Sequence, residues 1–285
     1  MNIKKIIRKI AFAIINEPKN HIVVNVGSVN YGLILKGKKI IVTGGSKGIG
    51  FAIAQKLISE GASVLITGRN LDDLKKAVEK LGGSAKYIQF DNSDVSSIDK
   101  LVRNSVKLMG GIDAFVLNAG VSFHEGNFLN VTIEGFDQQF DINLKANYFI
   151  AQAFLKYKLD KNEAGDLLFL SSETAGKSVD IPYGLTKAAI NSLVGGLARR
   201  VYQKNIRVNA IAPGVTLTNM TGGNRIITDD LANDSVAGRF LLPSEIAEVA
   251  CFLLSNASKC ITGEVLYCDA GSHLKINGSE TEYSF

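Results

Sequence analysis

From Lys38 onward the chain alternates two kinds of segment. Short runs of β-branched and apolar residues predict strands at Lys39 to Thr43, Ser63 to Thr67, Ala85 to Phe90, Ala114 to Asn118, Asp166 to Leu170, Arg207 to Ala212 and Glu264 to Cys268. Between them, apolar positions recur every three to four residues. This spacing predicts helices at Ile49 to Glu60, Leu71 to Leu81, Ser97 to Leu108, Leu144 to Tyr157, Tyr183 to Gln203 and Ser244 to Leu254. Near-continuous apolar strands alternating with helices fit an α/β, doubly wound, seven-stranded parallel sheet with helices on both faces. No repeat or low-complexity linker interrupts the pattern, so one domain is expected over 38–275, with 276–285 as a C-terminal tail. Ligands of such a sheet bind beyond the carboxyl ends of its strands.

Residues 1–37 follow another pattern. Ile3, Ile6, Ile7, Ile10, Ala13 and Ile14 recur at helical spacing with Lys4, Lys5, Arg8 and Lys9 between them, which predicts a basic amphipathic helix over 2–15, ended by Glu17-Pro18. Its apolar face is expected to pack on the domain or a neighbouring subunit, the alternative being contact with an anionic membrane surface. Arg8 and Lys9 interrupt the apolar run and no small-residue cleavage site follows, which argues against a secretory signal and for a cytoplasmic protein. Of the net charge of +5, residues 1–20 carry +4. The nearly neutral remainder has no electrostatic footprint for nucleic acid.

Composition narrows the class further. With 46% hydrophobic and 21% charged residues, the chain is neither disordered, collagen-like nor a disulfide scaffold. It has no apolar run of the roughly 18–20 residues needed to span a bilayer. Cys251, Cys260 and Cys268 form no C-x-x-C pair and read as free thiols, and His21, His124 and His273 lie far apart, so no metal site is indicated.

The chemistry-bearing residues fall at the expected strand ends. The first strand runs into T-G-G-S-K-G-I-G, placing Gly44, Ser46, Lys47, Gly48, Ile49 and Gly50 at a strand-to-helix turn. Glycines there let backbone approach a phosphate, and the helix amino terminus offers free N–H groups and a positive dipole end. A dinucleotide fold preferring NAD places a carboxylate at the end of the second strand; this chain has Arg69, followed by Asn70. A guanidinium there suits a 2'-phosphate, with Lys47 as a second cation, so NADP(H) is expected over NAD(H). Asp72 and Asp73 come too late in the sequence to take the NAD role.

Tyr183 and Lys187, in Y-G-L-T-K, lie four residues apart on one face of a predicted helix. A phenol of ordinary pKa about 10 needs a nearby cation to work as an acid–base group. Upstream, L-F-L-S-S presents Ser171 and Ser172 at a strand end, while Asn118, Ala119 and Gly120 form N-A-G at another and Asn143 sits in D-I-N-L-K-A-N-Y.

In their order, T-G-G-S-K-G-I-G, N-A-G, Asn143, Ser-Ser, Y-G-L-T-K and I-A-P-G make residues 38 to about 275 resemble the short-chain dehydrogenase/reductase family, and its 3-oxoacyl-(acyl-carrier-protein) reductase-like members in particular. The resemblance implies a Rossmann-like fold and a tetrad of Asn143, Ser172, Tyr183 and Lys187, with Asn143 ordering water. It also implies Asp91 and Asn92 near the adenine, and Pro213, Gly214, Val215 and Thr216 around the nicotinamide. The expected activity is NADPH-dependent interconversion of a ketone and a secondary alcohol. Two departures stand out. The Ser172–Tyr183 interval is about two residues shorter than usual in the family, leaving Ser171 as the alternative serine, and Leu117 replaces the first asparagine of N-N-A-G.

The substrate is open among a 3-oxoacyl thioester, a sugar, a polyol and a steroid-like or other small ketone. A mobile lid is expected over Val215 to Arg239, and Lys156, Lys158, Lys161 and Lys204 are a candidate surface for an acidic carrier protein. A different class of function is a cofactor-binding sensor or scaffold without turnover. The resemblance also implies a homo-oligomer, a dimer or tetramer, through the helix carrying the tyrosine motif and the last helix and strand, where Ala188 to Ala198 is rich in small residues.

Overall fold

The computed structural model describes residues 31–221 and 236–274. The basic helix expected at 2–15, the middle of the expected lid and the C-terminal tail lie outside the described residues.

Seven parallel strands form one sheet in the order β3-β2-β1-β4-β5-β6-β7. They are β1 Lys39–Thr43, β2 Ser63–Gly68, β3 Ala85–Gln89, β4 Ala114–Leu117, β5 Gly165–Leu170, β6 Ile206–Pro213 and β7 Val265–Cys268. The helices are α1 Gly48–Ser59, α2 Leu71–Leu81, α3 Ile98–Met109, α4 Ile133–Gln139, α5 Ala146–Lys161, α6 Pro182–Val201 and α7 Pro243–Leu254. Every strand and helix expected over 38–275 is present, with ends shifted by a few residues.

The period of two along each strand sorts side chains to opposite faces. Ile40 and Val42 enter a core with Ile53, Leu57, Leu74 and Leu253 beneath α1, α2 and α7. Ile41 enters the other, with Phe115, Phe154, Phe169 and Ile190 beneath α3, α5 and α6. Phe115 and Phe154 meet edge-on at 5.7 Å. Truncating such a fully buried phenylalanine to alanine costs about 3–5 kcal/mol, so each aromatic contributes heavily to a marginal total.

Two features differ from expectation. Residues 31–37 are part of the domain: Leu35 is fully buried and donates its N–H to Glu60 O at 3.0 Å, and the Tyr31 N–H donates to Glu60 Oε1 at 3.2 Å. Residues 31–37 therefore pack with the domain expected to begin at Lys38. Helix α4 was not expected; Thr132 caps it by accepting from Gly135 N, and it runs through a π-helical turn at Phe140–Lys145 into α5.

Chain order reverses between β1 and β4, which pair with Ile41 opposite Phe115. Loops leaving these two strands diverge to opposite sides, opening the crevice where doubly wound sheets bind ligands.

Candidate active site

The glycine turn is shaped for close approach. Gly44 and Gly48 have φ of +63° and +56°, where a side chain would be strained. A Cβ on Gly50 would come within 2.4 Å of Asn118 Nδ2 and Gly44 O. Asn118 Nδ2 donates to Thr43 O and Gly44 O at 2.9 and 3.1 Å, and Thr43 Oγ1 accepts from Asn118 N and Ala119 N, so N-A-G and the glycine turn form one unit. Helix α1 begins at Gly48 with no acidic residue in its first turn and no side-chain cap on its N–H groups. Its amino terminus is thus open to an anion.

At the end of β2, Arg69 is exposed and Asn70 caps α2 by accepting from Asp73 N at 3.0 Å. Asp73 reaches back to the glycine turn, its Oδ2 lying 2.7 Å from Lys47 Nζ. The first turn of α2 thus folds Asp73 beside the glycine turn. Asp91 Oδ1 accepts from Ser93 N and Oγ, while Asn92 is buried with Nδ2 lacking a protein acceptor. The glycine cradle, the open helix terminus and this unpaired amide fit a dinucleotide's pyrophosphate and base.

Across the crevice, Ser171 and Ser172 follow β5 with different surroundings. Ser171 Oγ donates to Asn191 Oδ1 at 2.6 Å, inside the packing of β5 against α6. Ser172 lies near enough to Tyr183 to oppose, in part, the rise that burial gives the phenol's pKa. Ser172 Oγ accepts from Thr174 N and Thr174 Oγ1 at 3.3 and 3.0 Å, which leaves the Ser172 hydrogen to point elsewhere. Of the two serines, Ser172 is the one whose hydrogen is not committed to Asn191.

Burial raises the Tyr183 pKa, and nearby Ser172 partly opposes this. Burial also lowers Lys187 to about 8. Lys187 Nζ donates to Leu170 O at 2.7 Å and stands 5.6 Å from the centre of the Tyr183 ring. Gly120 gives this ammonium room: a Cβ there would meet Asn143 Oδ1 at 3.2 Å and Lys187 Nζ at 3.6 Å.

Asn143 lies fully buried in the π-helical turn. Its Oδ1 accepts from Val121 N at 2.8 Å, and its Nδ2 donates to Val121 O at 2.9 Å and Thr186 Oγ1 at 3.3 Å. Its carbonyl accepts from Asn147 Nδ2 at 2.7 Å. Both amide hydrogens are committed to protein, so the side chain clamps the loop after β4 to α6. Thr186 Oγ1 donates to Tyr183 O at 2.7 Å, carrying the clamp to the tyrosine's backbone.

At the end of β6, Gly214 N donates to Cys268 O, and a Cβ on Gly214 would lie 2.9 Å from Asp269 Cα. Val215 and Thr216 continue beside Leu241, with Thr216 Oγ1 donating to Gly214 O. The structure thus brings Ser172, Tyr183, Lys187, Asn143 and Gly120 together and sets Lys47, Arg69 and Asn92 on the other side of Asn118.

Sequence reasoning missed Thr43, Thr174, Thr186 and Asn147, and did not foresee the contact of Asp73 with Lys47. Thr186 was available inside Y-G-L-T-K, and Thr174 follows Ser172 by two residues, the spacing of a hydroxyl turn. The four lysines considered for a carrier protein are not grouped beside this site. Lys158 is buried against Gly165 and paired with Glu163 at 3.0 Å; Lys156, Lys161 and Lys204 sit toward the ends of α5 and α6 that feed the amino-terminal edge of the sheet. That edge is on the order of 20 Å from Ser172, the length of β5.

A family model described as Enoyl-(Acyl carrier protein) reductase matches residues 44–273. A short chain dehydrogenase of Claviceps purpurea is 35% identical over 260 residues, covering 84% of this chain and 96% of that protein. An L-rhamnose 1-dehydrogenase (NADP(+)) of Thermoplasma acidophilum is 30% identical over 259 residues, covering 86% and 99%. Among solved structures, a 3-ketoacyl-(acyl-carrier-protein) reductase from Brucella melitensis complexed with NADH superposes with a TM-score of 0.78 at 27% identity, covering 84% of this chain and 99% of that one.

Proposed function

The chain belongs to the short-chain dehydrogenase/reductase family, and from that membership we propose that it is an NADPH-dependent oxidoreductase interconverting a ketone and a secondary alcohol. The observation that carries this reading is the grouping of buried Ser172 and Lys187 around the partly exposed Tyr183 at the carboxyl end of β5.

When bound, the nicotinamide supplies or accepts the hydride. The chain's own residues handle the substrate oxygen. Ser172, its acceptor positions taken up by Thr174, donates its hydrogen to the carbonyl oxygen. Tyr183, kept protonated at neutral pH by burial, delivers a proton to the same oxygen as general acid. Lys187, still mostly protonated at pH 7, supplies positive charge beside the phenol as that proton leaves. In the reverse direction Tyr183 accepts the alcohol proton. Asn143 holds the loop of Gly120 against α6 so that these groups keep their spacing.

Arg69 and Lys47 support NADP(H) over NAD(H), through the charge they present at the end of β2. A 3-oxoacyl thioester is one substrate reading, after the likeness to the 3-ketoacyl reductase. The second, a sugar, polyol or other small hydroxylated ketone, is favoured by Glu173. This carboxylate directly follows Ser172, is largely buried and has Oε2 without a protein donor, a setting suited to substrate hydroxyls.

A homo-oligomer is supported by Gly195 and Gly196, which leave one face of α6 open, and by exposed Ile133, Phe136, Tyr148 and Phe149 on α4 and α5. The free thiols at Cys251, Cys260 and Cys268 support a reducing, cytoplasmic setting. The test is NADPH oxidation against a panel of 3-oxoacyl thioesters, keto-sugars and small diketones. Turnover on any of them supports the oxidoreductase and selects its substrate class. Tight NADPH binding with no turnover on the whole panel would turn the assignment toward a sensor.

A further inference from the structure

The ion pair between Lys47 and Asp73 joins the two segments that flank the candidate site of a cofactor's ribose. Lys47 is the last residue before α1, and Asp73 the third residue of α2. Asn70 accepts the Asp73 N–H and holds the first turn of α2, placing Asp73 Oδ2 2.7 Å from Lys47 Nζ. Neither side chain is deeply buried, so both charges act on a ligand arriving from solvent, with Lys47 55% and Asp73 29% exposed. Arg69 lies on the segment between them, four residues before Asp73.

We propose that Asp73 is a specificity-setting residue that weakens the preference for NADPH, so that the chain discriminates less between NADPH and NADH than Lys47 and Arg69 alone would dictate. The proposal rests on the cofactor reading above. NADPH differs from NADH by a 2'-phosphate of about −1.5 to −2 charges, and the two cations reward that group. A carboxylate on Lys47 neutralises one of them and repels the phosphate, while leaving the uncharged ribose hydroxyl of NADH almost unaffected. The Lys47, Arg69 and Asp73 set carries +1, where the cations alone would carry +2.

The test is calorimetric titration of the full chain with NADPH and with NADH, in wild type, Asp73→Asn and Asp72→Asn. Asparagine keeps the size of Asp73 and its ability to accept from Lys47. Asp73→Asn is expected to lower the NADPH dissociation constant roughly three- to tenfold, the scale of one partly exposed charge contact, and to leave NADH unchanged. It should also steepen the salt dependence of NADPH binding. Asp72→Asn, on the exposed neighbour without the Lys47 contact, should change the ratio less. An unchanged NADPH to NADH ratio in Asp73→Asn, an equal shift in Asp72→Asn, or loss of both cofactors would each overturn the proposal. The wild-type ratio tests the NADPH assignment; the change in that ratio tests Asp73.

Discussion

Around β1 and β2, the side chains placed to meet a ligand's charge stand in solvent: Arg69 is exposed, and the Lys47–Asp73 pair is partly so. Around β5 and α6, Asn143 and Thr186 are fully buried and Lys187 and Ser172 nearly so, each with named hydrogen-bond partners. The first region builds its cradle from glycine backbone and carries a few exchangeable surface charges, to which the proposed function gives cofactor selectivity. The second sets a phenol beside a hydroxyl and an ammonium that are held by largely buried hydrogen bonds, where an unmade hydrogen bond is costly. Substitutions in the exposed region should therefore retune cofactor choice at little cost in folding. Those in the buried region should cost chemistry, stability or both.

The largest break in that contrast should come from Ser172→Ala. Removing the hydroxyl proposed to donate to the substrate oxygen should lower turnover by roughly 10²–10³, with NADPH affinity unchanged; steady-state kinetics and titration together check it. Thr186→Val comes next. It removes the acceptor of Asn143 Nδ2 and the donor to Tyr183 O, and should destabilise the fold by about 1–3 kcal/mol in urea unfolding. An unchanged midpoint would mean the clamp is idle.

In the exposed region, Arg69→Ala should raise the NADPH dissociation constant by about tenfold and leave both NADH binding and the melting temperature unchanged. The smallest effect sharpens the comparison through pH. Lys187 titrates at about 8 in the folded chain against 10.5 ordinarily. Between these values the unfolded chain binds a proton that the folded chain lacks, so stability rises with pH across the window. The penalty of burying the charge is fully present below about pH 8. Wild type should gain on Lys187→Met by at most about 1 kcal/mol per pH unit between pH 8 and 10, read from paired unfolding curves.

The sheet was legible because each buried strand is an apolar run and each covering helix carries an apolar stripe. Tyr183 and Lys187 were legible because four-residue spacing on a helix fixes adjacency without knowledge of the rest of the fold. Helix α4 was not, since Ile133 and Phe136 point outward and leave no inward stripe to read. The π-helical turn holding Asn143 adds a residue to the helical repeat, so the spacing on either side falls out of phase. The contact of Asp73 with Lys47 was not legible because distance along the chain hides the return of α2 to the glycine turn. Lys158 was misread because the space that buries its stem is provided by Gly165, seven residues away.

The central claim is that the buried region performs the proton transfer while the exposed region holds the cofactor. Single-turnover hydride transfer from prebound NADPH, measured in wild type and Tyr183→Phe with the best substrate of the panel, tests it most directly. The account predicts that Tyr183→Phe binds NADPH as wild type does and loses transfer by roughly 10²–10⁴. Transfer within about tenfold of wild type, a difference of only about 1.4 kcal/mol, would contradict the role given to Tyr183 and with it the chemistry assigned to this site.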